Sequence, residues 1–123
     1  KGNEALKAEA ETVEKALNAC AGAAMQFSKL MRSNPFVPLI AAVDYLHCLA
    51  ESLCGWFHLW MANTATEKLA ANPSETDKAF YTGKIEGAKF YINRTTALVP
   101  AKCDVLVRDE ISCIRIPDEA FAV

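Results

Sequence analysis

Two carboxylates and two imidazoles fall on a single run of this chain: Asp44, His47, Glu51 and His58. On a helix they would lie within about a 60° stripe, since each residue turns the backbone by roughly 100°. Groups of these types in line are candidate metal ligands or proton carriers. Asp44-x-x-His47 has the form of the acidic-x-x-His element of di-iron bundles, but such a site needs a second copy of the motif on a facing helix. His47 and His58 are the only histidines, so that second motif is missing. The plainer reading is a polar stripe on an otherwise apolar helix, facing solvent or another domain.

Other chemistry finds little support in the residues. There is no Gly-rich strand-to-helix turn to cradle a phosphate or dinucleotide, and no Gly-x-Ser-x-Gly elbow. Trp56 and Trp60, one turn apart, read as core rather than as a stacking platform. If Trp60 is core, Trp60→Ala should cost about 3 to 5 kcal/mol; a cost under about 1 kcal/mol would mean that it faces a partner. The formal net charge is -2, with both signs interspersed, so no basic patch argues for a nucleic-acid partner. The five cysteines are odd in number and show no Cys-x-x-Cys pair. They read as reduced, small apolar residues of an intracellular, cytoplasmic protein. Asn93-Arg94-Thr95 matches a glycosylation sequon, but no secretory signal accompanies it.

The elements that would position these residues are helical. With 123 residues, over half of them hydrophobic, the chain has the size of one domain with one core. Residues 4 to 32 carry a 3,4 spacing, with Leu6, Val13, Cys20 and Phe27 in one row and Ala10, Leu17, Ala24 and Met31 in the other. A second helix is expected from about Pro38 to Asn72. Leu39, Leu46, Leu53 and Trp60 recur along it every seven residues, with Val43, Ala50 and Phe57 beside them. That pattern marks it as the most buried helix. It is long enough to cross a bilayer, but Asp44 and Glu51 would each cost about 2.5 to 3.5 kcal/mol near a bilayer centre, which favours a soluble core helix.

A third helix starts at the capping box "SETD", 74 to 77, and should run to about Val99, where Pro100 ends or kinks it. Gly83 and Gly87 lie on one side of it, between the aromatics Phe80 and Tyr91. Glycine costs roughly 1 kcal/mol against alanine inside a helix. A helix crossing closely at this notch would offset that cost; a ligand passing there is the alternative. Residues 101 to 123 read as a short fourth helix and an extended tail laying Ile114, Ile116 and Phe121 on the body. The expected fold is all-α: an up-and-down bundle of three long helices, a short fourth and a C-terminal tail, forming one domain over residues 1–123.

The order of "NPFVPLIAAVDYL", "GW" at 55 and 56, "FYTGKIEGAKFY", "LVP" and "IPDEAF" resembles the extra C-terminal helical domain of the acyl-CoA dehydrogenase-like family. The pattern falls on Tyr45, Leu46, Gly55, Trp56, Phe80, Tyr81, Lys84, Ala88, Phe90 and Tyr91, and ends on Leu98, Pro100, Glu119, Ala120 and Phe121. It covers about residues 34 to 121, and Gly83 and Gly87 depart from it. The resemblance implies an appendage to an FAD enzyme whose flavin site, base and thioester pocket belong to preceding domains. No catalytic, cofactor-binding or metal residue is therefore carried over to this chain. The implied partners are the preceding dehydrogenase domains and a second copy in a homodimer; some relatives associate with a membrane, which Asp44 and Glu51 disfavour here. Asp44, His47, Glu51 and His58, together with Phe80, Gly83, Gly87 and Tyr91, are the candidate docking surfaces. A free-standing dimerisation module is the competing expectation. The absence of an initiator methionine at Lys1 suggests a piece of something longer.

Overall fold

In the computed structural model, which describes residues 4–122, four helices account for nearly the whole bundle. α1 spans Lys7–Ser33 after a 3-10 turn at Glu4–Leu6, α2 spans Phe36–Ala70, α3 spans Glu75–Arg94 and α4 spans Val99–Leu106. Further 3-10 turns occupy Thr96–Leu98, Ser112–Arg115 and Asp118–Phe121. The expected all-α bundle is what the chain forms.

The starts and stops follow local chemistry. Ser74 caps α3: its hydroxyl oxygen accepts from the Asp77 backbone N–H at 3.2 Å and donates to the Asp77 carboxylate at 2.8 Å. That satisfies one of the orphan donors of the first turn. Asn72 has a positive φ of 55° just before Pro73, in the left-handed region that asparagine tolerates. Pro100 does not end α3. The helix stops earlier, at Arg94, and Pro100 sits in the first turn of α4, where its missing N–H costs nothing.

Two apolar clusters make the core. Ala16, Cys20, Ala23 and Phe27 of α1 meet Ala41 and Cys48 of α2 and Val99 and Cys103 of α4. Leu6, Ala62 and Ala88 form a second cluster nearer the other end. Small polar groups lie between them. Ser52 donates to the Cys48 carbonyl at 2.8 Å, and Thr96 donates to the Glu51 carbonyl at 3.2 Å. Both side chains are fully buried and satisfied.

One row of α1 is buried as expected: Leu6, Val13, Cys20 and Phe27. The second buried row runs through Glu9, Ala16 and Ala23, one residue earlier than Ala10, Leu17, Ala24 and Met31, which lie exposed. Glu9 is tolerated there because Asn93 donates to its carboxylate at 3.3 Å.

The larger correction concerns α2. It is the most apolar helix, yet only 22% of its most hydrophobic window is buried. Its buried residues are Val37, Ala41, Cys48, Ser52, Gly55, Ala62 and Ala65. Leu39, Val43, Leu46, Leu53, Phe57 and Trp60 all point away from the bundle. Trp56 and Trp60 are consequently surface residues, 46% and 60% exposed, and not core. The tail departs from expectation in the same way. Ile114, Ile116 and Phe121 are exposed, and neither of the last two 3-10 turns packs on a helix. Only the root of the tail is tied down, by Asn34 donating to Asp109 at 2.6 Å.

Candidate interaction surface

Three faces of the bundle carry the residues of interest. The first is the polar side of α2. Asp44 and His47 are exposed there. Glu51 is half-buried, and Lys102 of α4 donates to both of its carboxylate oxygens at 2.7 Å. His58 is engaged differently: its ring stacks on Tyr91 of α3, with centroids 4.6 Å apart and planes 30° from parallel. The stripe is therefore divided between solvent, an ion pair and a ring stack, and among the described residues no three His, Cys, Asp or Glu are grouped to hold a metal ion.

The second face belongs to α3. Phe80, Gly83, Gly87 and Phe90 lie along its outer side. Lys84 sits over the Phe80 ring at 5.3 Å and Arg94 over the Phe90 ring at 5.7 Å. A Cβ added at Gly83 or Gly87 would meet nothing within 4 Å, so among the described residues no helix crosses at that notch. Tyr91 turns inward to His58 instead, and burial raises its phenol pKa.

The close approach expected at those glycines is found at Gly55. A Cβ there would lie 2.4 Å from Thr96 Oγ1 and 2.9 Å from its Cγ2. The 3-10 turn after α3 packs directly on the α2 backbone at that point. Only glycine leaves room for it.

The third face is the outer side of α2, which the sequence reading placed in the core. Leu39, Val43, Leu46, Ala50, Leu53, Phe57 and Trp60 follow one another at intervals of four and three residues, the spacing of a seam that packs lengthwise on another helix. Leu39 and Leu46 are 64% and 61% exposed. Its flanks are also largely apolar, with Ile40, Trp56 and Met61 exposed beside it. At its C-terminal end Trp56, Leu59 and Trp60 help form a cavity of about 620 Å³ against Leu6 and Ala10.

The interior holds the remaining nucleophiles. Cys20 Sγ lies 4.0 Å from Cys103 Sγ and 3.5 Å from Ser52 Oγ, with Cys48 in the same cluster. Burial and the neighbouring thiols push Cys103 up to about 12, and burial raises Cys48 as well. Such thiols stay protonated and inert. Cys54 and Cys113 are exposed.

A family model described as "Acetyl-CoA dehydrogenase C-terminal like" matches residues 1–117. A butyryl-CoA dehydrogenase of Syntrophomonas wolfei subsp. wolfei is 33% identical over 90 residues, which are 72% of this chain and 15% of that protein. The chain thus spans a small part of the length of the curated relative it matches.

Proposed function

This chain belongs to the acetyl-CoA dehydrogenase C-terminal like family, and from that premise we propose that it is the non-catalytic terminal domain of an FAD-dependent acyl-CoA dehydrogenase, packing on the dehydrogenase body and supporting its assembly. The flavin, the base and the thioester pocket belong to the preceding domains. The observation that carries this reading is the mismatch between the chain's 72% coverage and the relative's 15%: what the two share is a small part of a much longer dehydrogenase. The outer stripe of α3 is the face we assign to the body. Its mixture of rings, glycines and cations suits the more polar interfaces found between domains of one chain. Five free thiols are in keeping with a reducing cytoplasm.

An immunoblot of source cells with an antibody to this chain tests the assignment, together with the flavin spectrum of the purified parent. A band several domains heavier, at about 100 to 200 residues per domain, with bound flavin and acyl-CoA-dependent reduction of an acceptor dye, is expected. A native polypeptide no larger than this chain would overturn the reading in favour of a free-standing dimerisation module.

A further inference from the structure

The outer seam of α2 differs from the α3 stripe in being apolar at its centre and at most of its margins. We propose that it pairs with the same seam of a second copy, antiparallel, about a two-fold axis through Ala50. This deepens the assembly role proposed above and rests on it.

The side chains taper along the helix. Leu39 and Val43 stand at one end, Phe57 and Trp60 at the other, and the smallest residue, Ala50, at the middle. Two copies running the same way would stack thick end on thick end and splay. Running oppositely, Leu39 meets the second copy's Trp60, Val43 its Phe57 and Leu46 its Leu53, while Ala50 meets Ala50. The two helices then stay at constant separation, as close packing demands. A self-complementary patch of this kind is what an isologous dimer uses.

Charge and area agree with that occupant. Along α2 itself no Lys, Arg, Asp or Glu stands in the seam or beside it, and His47 and the thiol of Cys54 are the titratable neighbours there. From the adjoining elements, Glu4 and Lys7 border Trp56 and Trp60, and Lys84 borders Trp60. Two copies paired along α2 therefore bring no like charges together in the seam itself. Given the exposures of these residues, the seam and its apolar flanks offer on the order of 1,000 Å², above the roughly 800 Å² per partner of a standard interface.

The test is disulfide trapping in the intact polypeptide that carries this chain, with the exposed Cys54 and Cys113 replaced by Ser. Ala50→Cys, oxidised with copper–phenanthroline, should give a covalent dimer on a non-reducing gel at a yield at least about ten-fold above Leu39→Cys, because only the axial position meets itself. The same background without the added cysteine sets the zero. Equal trapping at Leu39 and Ala50 would mean a parallel or non-specific contact and would overturn the proposal. So would an Ala50→Cys thiol that neither cross-links nor reacts with maleimide, which would give the face to the dehydrogenase body. Flotation with phosphatidylglycerol vesicles, abolished by Leu46→Glu, would give it to a lipid surface and overturn the pairing as well. None of these failures touches the flavin content or size of the parent, on which the dehydrogenase assignment stands.

Discussion

α2 has two apolar faces built on opposite rules. The inner one carries Val37 and then the small residues Ala41, Cys48, Ser52, Gly55, Ala62 and Ala65; the outer one carries Leu39, Val43, Leu46, Leu53, Phe57 and Trp60. Small residues let backbones approach, and close contact replaces the dispersion energy that large side chains would have supplied. Large residues left outside keep about half or more of their surface in solvent. Hydrophobicity alone therefore does not say which side of a helix is the inside. Residue size does better here, because the tightly packed face had to be the one made of Ala, Gly, Ser and Cys. The outer face is a contiguous patch of a kind that lone soluble domains rarely expose.

The sharpest way to break this contrast is to treat both faces alike and compare the losses. Ile92 is fully buried where α3 meets the core, so Ile92→Ala should cost about 2 to 5 kcal/mol in urea unfolding of the isolated chain. Trp60→Ala removes a larger side chain from the outer face, yet it should cost under about 1 kcal/mol at concentrations too low for pairing. A Trp60 loss as large as that of Ile92 would show the outer face to be structural in the single chain.

Gly55→Ala comes next in size. The new Cβ must displace Thr96, whose hydroxyl is held by the Glu51 carbonyl and whose side chain is fully buried. Overpacking of this kind costs about 1 to 3 kcal/mol, more than the roughly 1 kcal/mol that alanine gains in helix propensity. The thermal midpoint should fall. A rise would mean that Thr96 can rotate aside without losing its bond.

How much of this was legible beforehand depended on which physical signal each element offers. The helices were readable because the 3.6-residue period, the Ser74 cap and the prolines all act locally. The row through Leu6, Val13, Cys20 and Phe27 was readable too, since inward direction follows the apolar repeat along that row. It does not on the second row of α1, where Ala16 and Ala23 are buried and Leu17 and Met31 are exposed. On α2 the repeat and the inward direction do not coincide either. A seven-residue repeat of large side chains looks the same whether it packs on its own domain or on another molecule, and only the tertiary structure separates the two. The tail failed for a related reason: "IRIPDEAF" has residues worth burying, but no helix among the described residues receives them. The polar stripe of α2 was visible as a stripe, yet the partners of Glu51 and His58, at Lys102 and Tyr91, lie far away in sequence.

The buried thiols give a smaller effect that sharpens the account of the inner face. At pH 8 the folded chain should expose only Cys54 and Cys113 to a disulfide reagent, with Cys20, Cys48 and Cys103 reacting after unfolding. The Cys103 thiol has its pKa raised to about 12 by burial and its neighbours. An acid with a raised folded pKa is ionised first in the unfolded chain, so its contribution is complete below pH about 9 and is lost as pH climbs toward 12. Unfolding midpoints should therefore decline across that window, and less steeply in Cys103→Ala. A flat profile, or rapid reaction of all five thiols at pH 8, would mean that the core is open.

The smallest expected effect has the opposite sign from Gly55→Ala, and that is its value. Gly83 and Gly87 sit inside α3 with open space where a Cβ would go, so alanine at either position should stabilise the isolated chain by about 0.4 to 1 kcal/mol through helix propensity and a less flexible unfolded state. Three glycines on two adjacent helices would then separate cleanly, one required by contact within the chain and two not. If the α3 stripe docks on the dehydrogenase body through that notch, the same alanines should weaken the interface in the intact polypeptide while stabilising the lone domain. Limited proteolysis between the body and this domain reads the difference: faster release of the domain from Gly87→Ala, despite its higher midpoint, assigns the notch to the body. Unchanged release, with the midpoint raised, leaves the two glycines without a contact to protect.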